Sequence, residues 1–261
     1  MNDLISLPER VRQSFGRSLS DYHQSAFVQA EIAERLAHLL NAHRKEPAGF
    51  GCVFEFGCST GFLTRHLVRN FAIGHYVAND LVAGSAPLIA SILAETETNW
   101  RFIAGPVQDN IPDGPFDLVA AASTVQWIAD LPPLLQRLSD ALAPGGMLAL
   151  SGFGRQHFHE LTAMGSTAGA VSYKDRSEWR DLLPSTLDLV AIEQAERVVH
   201  FPTVRALLVH LRRTGVNAGA GTPWSRSAYA AFEAEYRDRF SDAQGVRLTY
   251  DPVLLIARRK N

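Results

Sequence analysis

The sequence predicts an α/β fold, a doubly wound and mostly parallel sheet of seven strands with a helical cap and helical insertions. Three observations predict it. Short apolar runs alternate with helical periods from residue 52 to residue 153. A glycine-rich turn, "FGCSTG" at 56–61, joins the first run to the first of these helices. An acidic residue, Asp80, closes the second run 23 positions after Gly57 (80 − 57 = 23). Runs that are apolar throughout belong to strands covered on both faces, as in parallel sheets.

Taken in order, the chain starts with a helix. From Asp21 to about His43 the apolar residues Val28, Ile32, Leu36, Leu39 and Leu40 recur at three- and four-residue steps. That period belongs to an amphipathic helix, and it makes residues 1–45 an N-terminal helical cap. "RKEPAGFG" (44–51) ends it with charge, proline and glycine, ahead of the main domain at 46–261. "CVFEF" (52–56) is a strand, "GFLTRHLVRNF" (61–71) a helix, and "HYVAND" (75–80) a strand. "SAPLIASILAET" (85–96) is a helix, followed by strands "RFIAG" (101–105) and "FDLVAAAS" (116–123). "LPPLLQRLSDALAPGG" (131–146) has proline at its start and Pro-Gly-Gly at its end, as a helix should. "MLALSGF" (147–153) is the fifth strand.

Past Gly154 the rhythm changes. "FHELTAMG" (158–165) and "SEWRDLL" (177–183) read as helices and place an insertion near 155–185. "LVAIEQAERVVHF" (189–201) is a strand with polar interruptions, and helices near 203–213 and 225–240 make a second insertion at 203–240. "VRLTYDPVLLIARRK" (246–260) is the last strand. Proline brings no N–H to a ladder, so Pro252 predicts a bulge or an edge there.

Bulk properties exclude several classes. At 261 residues, 46% hydrophobic and 20% charged, the chain is an ordinary globule that can bury about three quarters of its unfolded surface. Its 25 basic and 27 acidic residues leave a formal charge of −2, without the footprint of a nucleic-acid or anionic-membrane binder. Cys52 and Cys58 bracket one short strand without C-x-x-C spacing, which argues against a disulfide or a metal site. "MNDLISLPER" carries charges and a proline too early for a signal peptide, and no long apolar span follows. The expected localisation is cytoplasmic.

The turn itself supports two readings. Gly57-Cys58-Ser59-Thr60-Gly61 fits G-x-S-x-G, the nucleophile elbow of serine hydrolases. An elbow needs an earlier strand to supply its oxyanion-hole loop, and only helical sequence precedes Cys52. Asp117 and His157 do follow in order, but a chain this long offers such pairs freely. In the other reading the backbone N–H groups and the helix dipole face a ligand, and small residues at 57, 59 and 61 let it approach closely. Asp80 then falls where an acid binds ribose hydroxyls. Ser59 is accordingly a turn residue.

Such a cradle holds either a dinucleotide or S-adenosylmethionine. The dinucleotide fingerprint needs glycines at 57, 59 and 62, where this chain has Gly57, Ser59 and Phe62. Glu55 is out of place beside a pyrophosphate but suits the ammonium group of a methionine moiety. The sequence favours S-adenosylmethionine.

"EFGCSTG" resembles the E/D-x-G-x-G-x-G motif of class I S-adenosylmethionine-dependent methyltransferases, whose fold is Rossmann-like, with Ser59 replacing the middle glycine. A narrower resemblance spans nearly the whole chain. "SFGRSLSDYHQSAFVQ", "STVQWIADL", "SGFGRQHFHEL", "LRRTGVNA" and "RLTYDPVLLIARR" occur in this order and together resemble the malonyl-acyl carrier protein O-methyltransferase family. That family methylates the free carboxylate of a malonyl thioester early in biotin synthesis. The resemblance implies that Glu55, Gly57, Ser59 and Gly61 line the methionine and ribose, with Asp80 on the ribose hydroxyls. It implies Leu81 against adenine, Val107 offering its N–H there, and Ser123 at the cofactor as well. Pro106 stands where the family has an aspartate.

On the substrate side the resemblance implies Tyr22 from a segment that closes over the site, Gln126 and Trp127 past the fourth strand, and Arg212 for the malonyl carboxylate. His157 and His159 receive no role. The implied partner is a malonyl-loaded acyl carrier protein or malonyl-coenzyme A, with Arg205, Arg213 and Arg226 facing an acidic carrier. A methyltransferase for another small acid or amine, or a non-catalytic partner protein of this fold, remains the alternative at this level.

Overall fold

A computed structural model describes residues 7–44, 49–166, 169–216 and 225–261. It opens with two helices, α1 (Leu7–Ser25) and α2 (Phe27–Ala42), where the sequence pattern marks one. They part at Ala26, whose φ of −90° and ψ of 47° leave the helical path. Strands and helices then alternate: β1 (Phe50–Phe56), α3 (Phe62–Asn70), β2 (Ile73–Asp80), α4 (Ala86–Leu93), β3 (Asn99–Ala104), β4 (Phe116–Ala121), α5 (Leu131–Ala141) and β5 (Leu142–Phe153). The remainder comprises α6 (His159–Ala163), α7 (Arg176–Leu182), β6 (Leu187–Gln194), β7 (Arg197–Phe201), α8 (Val204–Arg213), α9 (Arg226–Phe240), β8 (Ser241–Asp242), β9 (Gly245–Tyr250) and β10 (Pro252–Arg259). The cap boundary expected near residue 45 and the Asn217-Ala218 end of "LRRTGVNA" lie outside the described residues.

Seven strands form the main sheet in the order β3-β2-β1-β4-β5-β10-β6. β1 runs parallel to β2 and β4, whereas β10 is antiparallel to both its neighbours. Both faces are covered. Along β10, Leu254 and Ile256 join a core with Leu36 and Leu40 of α2 and Leu67 of α3, while Val253 and Leu255 join Phe54, Leu135 of α5 and Trp179 of α7. A period-two strand buried on both sides needs apolar residues at every position, which explains the uninterrupted runs. Each such leucine or isoleucine stabilises the fold by roughly 1.5–3 kcal/mol.

Two expected strands are each divided between two sheets. The run 189–201 gives β6 to the main sheet and β7 to a second, three-stranded sheet, β7-β9-β8. The run 246–260 breaks at Asp251, with β9 in the small sheet and β10 in the large one. Pro252 marks neither a bulge nor an edge. It is the first residue of β10, paired with Phe153, and β10 lies between β5 and β6. A strand's first residue tolerates a missing N–H. The irregularity in β10 sits instead between Ile256 and Ala257. Asp251 secures the corner: its carboxylate accepts from Gln194 Nε2 at 3.0 Å and from the Gln156 N–H at 3.1 Å. The small sheet, α8 and α9 share a core built on Leu207, Tyr236, Leu248 and Tyr250.

Candidate cofactor and acyl site

Strand order reverses between β1 and β4, and a crevice opens there at the carboxyl ends of the strands, where open α/β sheets bind ligands. The turn after β1 forms its floor. Gly57, Ser59 and Gly61 have φ of +65°, +48° and +81°, in the left-handed region. A Cβ on Gly57 would lie 2.2 Å from Thr124 Oγ1, and one on Gly61 2.2 Å from Ile92 Cδ1, so both positions demand glycine. Ser59 adopts the same region at a cost of about 1–2 kcal/mol.

Asp80 ties this turn to the end of β2. Its Oδ2 accepts the Ser59 N–H at 2.8 Å, and its Oδ1 accepts the Val82 N–H at 2.7 Å. Burial pushes the Asp80 carboxyl up to about 6, against the pull of the Val82 and Ser59 amides. Glu55, 1% exposed, accepts from Thr64 Oγ1 at 2.6 Å and from the Tyr76 hydroxyl. Burial pushes it up to about 7, against the bonds from Thr64 and Tyr76. Asn79 Nδ2 donates to the Ile103 and Gly105 carbonyls at 2.9 and 3.0 Å and so fixes the loop after β3 as a further wall.

The resulting cleft has a volume of about 140 Å³. Its described lining carries two carboxylates, Glu55 and Asp80, and no lysine, arginine or histidine. Ser59 therefore has no imidazole there to act as its base. α1 roofs the cleft with Val11, Phe15, Leu19 and Tyr22. Phe15 meets Trp127 edge-on at 5.5 Å and Tyr22 at 6.1 Å, and Ser14 Oγ donates to the Gly215 carbonyl at 2.9 Å.

The structure brings Tyr22, Glu55, Gly57, Ser59, Asp80, Leu81, Val107, Ser123 and Trp127 around this one cleft. Gly61 lies just behind it as the N-cap of α3. Gln126 lines a smaller adjoining cavity. Arg212 is exposed on the last turn of α8 and lines neither. Sequence reasoning missed the roof residues Val11, Phe15 and Leu19, although with Tyr22 they recur at four-, four- and three-residue steps along one helical face. It also missed Gln29 and the burial of His157.

A family profile described as a methyltransferase domain matches residues 54–148. The malonyl-acyl carrier protein O-methyltransferases of Chlorobium luteolum and Acinetobacter baylyi are 35% and 32% identical to this chain over 253 and 254 residues. These alignments cover 96% and 95% of this chain, and 95% and 96% of those proteins. The chain belongs to the malonyl-acyl carrier protein O-methyltransferase family. In fold it is similar to the YcgJ protein of Bacillus subtilis, with a TM-score of 0.60 at 14% identity over 87% of this chain and 97% of that one. It is also similar to the N-methyltransferase NodS of Bradyrhizobium japonicum, solved with S-adenosylhomocysteine, with a TM-score of 0.58 at 13% identity over 97% and 100%. As a malonyl-acyl carrier protein O-methyltransferase family member it departs from the expected loop after β3. There Pro106, at φ −63°, leads into a short 3-10 turn whose buried Val107 lines the cleft.

Proposed function

We propose that the chain transfers a methyl group from S-adenosylmethionine to the free carboxylate of a malonyl thioester, an early step of biotin (pimeloyl) synthesis in the cytoplasm. The acyl group arrives on an acyl carrier protein or on coenzyme A. The observation that carries this reading is a cleft at the sheet's switch point with two buried carboxylates and no cation among its described lining residues. Such a site favours a cationic ligand, and S-adenosylmethionine supplies an electrophilic methyl on a sulfonium.

The residues present fit that cofactor. Each Asp80 oxygen accepts one amide N–H and keeps capacity for another bond, so the carboxylate suits a vicinal diol. Glu55 suits the methionine end, Leu81 and Val107 the adenine, and the glycine-enforced turn allows close backbone approach. Tyr22, Gln126 and Trp127 serve the acyl side, and Ser123, which lines both cavities, lies at the cofactor as well. A malonyl carboxylate is already ionised at neutral pH, so no general base is required and positioning supplies the rate. Arg212, exposed beside Arg213, serves carrier docking in this reading.

A methyl-transfer assay with malonyl-acyl carrier protein, malonyl-coenzyme A and free malonate side by side tests it. Transfer to either thioester is the expected result. Saturable S-adenosylmethionine binding with transfer to none of the three would refute it.

A further inference from the structure

A second cavity, of about 20 Å³, lies behind the cofactor cleft and shares Phe15, Tyr22, Gln29, Ser123 and Trp127 with it. Its remaining wall includes Gln126, His157 and Tyr173. Three buried polar atoms of this wall lack a hydrogen-bond partner among the described residues: Gln29 Oε1, Ser123 Oγ and Gln126 Oε1. Gln29 and Gln126 are 7% and 4% exposed, so water does not reach them freely. Buried polar groups are nearly always paired, and three orphans on one small cavity mark a place prepared for a polar group. Ser123 also has a φ of +53°, a conformation a serine rarely adopts, and the strain falls at the same spot.

The groups able to donate here are uncharged. His157 is stacked between Phe153 and Phe158, each at 3.8 Å, which fixes its ring plane. Its Nδ1 accepts the Asp251 N–H at 3.4 Å, so the neutral ring carries its proton on Nε2. Burial pushes His157 well below the ordinary imidazole value and keeps it neutral. The Tyr173 hydroxyl accepts the Ala170 N–H at 3.1 Å, leaving its own hydrogen to donate. Gln29 Oε1 has no hydrogen-bond partner among the described residues, and a half-turn of the amide presents NH2 in its place. Gln126 is oriented by its Nε2 bond to the Ser123 carbonyl at 2.6 Å, and its orphan Oε1 can only accept, so that oxygen takes no part in holding a carboxylate. The described lining holds no lysine or arginine.

We propose that this chamber receives the free carboxyl end of the acyl substrate and holds it with uncharged donors alone, His157, Tyr173, Tyr22, Ser123 and Gln29. The inference rests on the function proposed above. Opposite charges vanish as a carboxylate attacks a sulfonium methyl, so a cationic clamp would stabilise the reactants more than the transition state. Neutral donors orient the carboxylate and leave that charge pairing to the cofactor. The chamber is near the smallest volume that takes one water-sized group, so it has room for a carboxylate oxygen and excludes bulkier ends.

The test uses the full chain, malonyl-coenzyme A as substrate, acetyl-coenzyme A as a competitor lacking the carboxylate, and calorimetry with S-adenosylmethionine. His157→Phe keeps the aromatic stack and removes the donor; Tyr173→Phe is the milder second variant. Each should raise KM for malonyl-coenzyme A about tenfold or more, with S-adenosylmethionine affinity and inhibition by acetyl-coenzyme A unchanged. Gln29→Lys should lower KM and lower kcat together, because it adds the clamp the chamber lacks. Native KM in both aromatic variants, with native cofactor binding, would overturn the assignment, as would a raised kcat in Gln29→Lys. A wild-type chain that binds cofactor yet methylates no malonyl thioester would overturn the functional reading and this assignment with it.

Discussion

The backbone N–H of Ser59 donates to Asp80 Oδ2 at 2.8 Å, so the turn after β1 and the acid that ends β2 form one hydrogen-bonded unit. Asp80→Ala removes the acceptor for two amides and, in the proposed function, both ribose contacts. Hydrogen bonds to a charged group contribute about 1.5–3 kcal/mol each. Calorimetry should therefore show S-adenosylmethionine binding weakened at least about tenfold, while circular dichroism shows the fold retained. An unchanged dissociation constant would place the cofactor elsewhere.

Ser59→Gly should relieve the positive φ and stabilise the chain by up to about 1 kcal/mol, read as a higher melting temperature. Methyl transfer should persist or improve. A fluorophosphonate should leave Ser59 unlabelled in the parent, because the cleft offers it no imidazole; stoichiometric labelling would revive the hydrolase reading.

Asp80 and Glu55 give the cofactor-free chain a distinctive pH dependence. Their folded-state values, about 6 and about 7, lie above the ordinary 3.8 and 4.5. The folded state therefore holds protons that the unfolded state releases. The stability these two groups contribute is fully present below about pH 4 and lost as pH rises through 6 to 7. Asp80→Asn and Glu55→Gln should flatten the difference between melts at about pH 5 and about pH 8, by roughly 1 kcal/mol for Asp80 and roughly 2–3 kcal/mol for Glu55. Cofactor binding should run the other way, tightening as pH rises and releasing protons to buffer. Binding that tightens on acidification would contradict the charge complementarity of the cleft.

Arg212→Ala should raise KM for malonyl-acyl carrier protein severalfold, an effect that added salt reproduces in the parent, with kcat little changed. The same substitution should hardly alter KM for malonyl-coenzyme A. A collapse of kcat on both thioesters would return Arg212 to the carboxylate.

β1, β2, β4 and β5 were legible because most of each strand is buried on both faces, which writes apolar runs into the sequence. β3, at the sheet edge with no buried residue, was legible only from its short run "RFIAG". That Gly57, Ser59 and Asp80 share one cleft was legible for a related reason: the turn tolerates little but small residues, and Asp80 closes its strand. α1 was overlooked although Val11, Phe15, Leu19 and Tyr22 keep a helical step, because the face it buries also includes Ser14 and Ser18. The division of two long runs between sheets was hidden because both halves carry the same strand pattern. Asp251, the residue that makes the corner, looks like any loop acid. His157 carries no mark of burial in the sequence; only the stacking of Phe153 and Phe158 on its two faces reveals it.

One helix roofs both rooms of the site. Phe15 and Tyr22 of α1 border the cofactor cleft and the chamber behind it alike, and Ser14 latches the helix to Gly215 at the end of α8. In the proposed function, a single displacement of α1 would expose both ligands at once. Spent cofactor and esterified product would then leave through the same opening, so loosening the latch would speed every exchange step together and shorten the dry interval in which the two reactants are held alone.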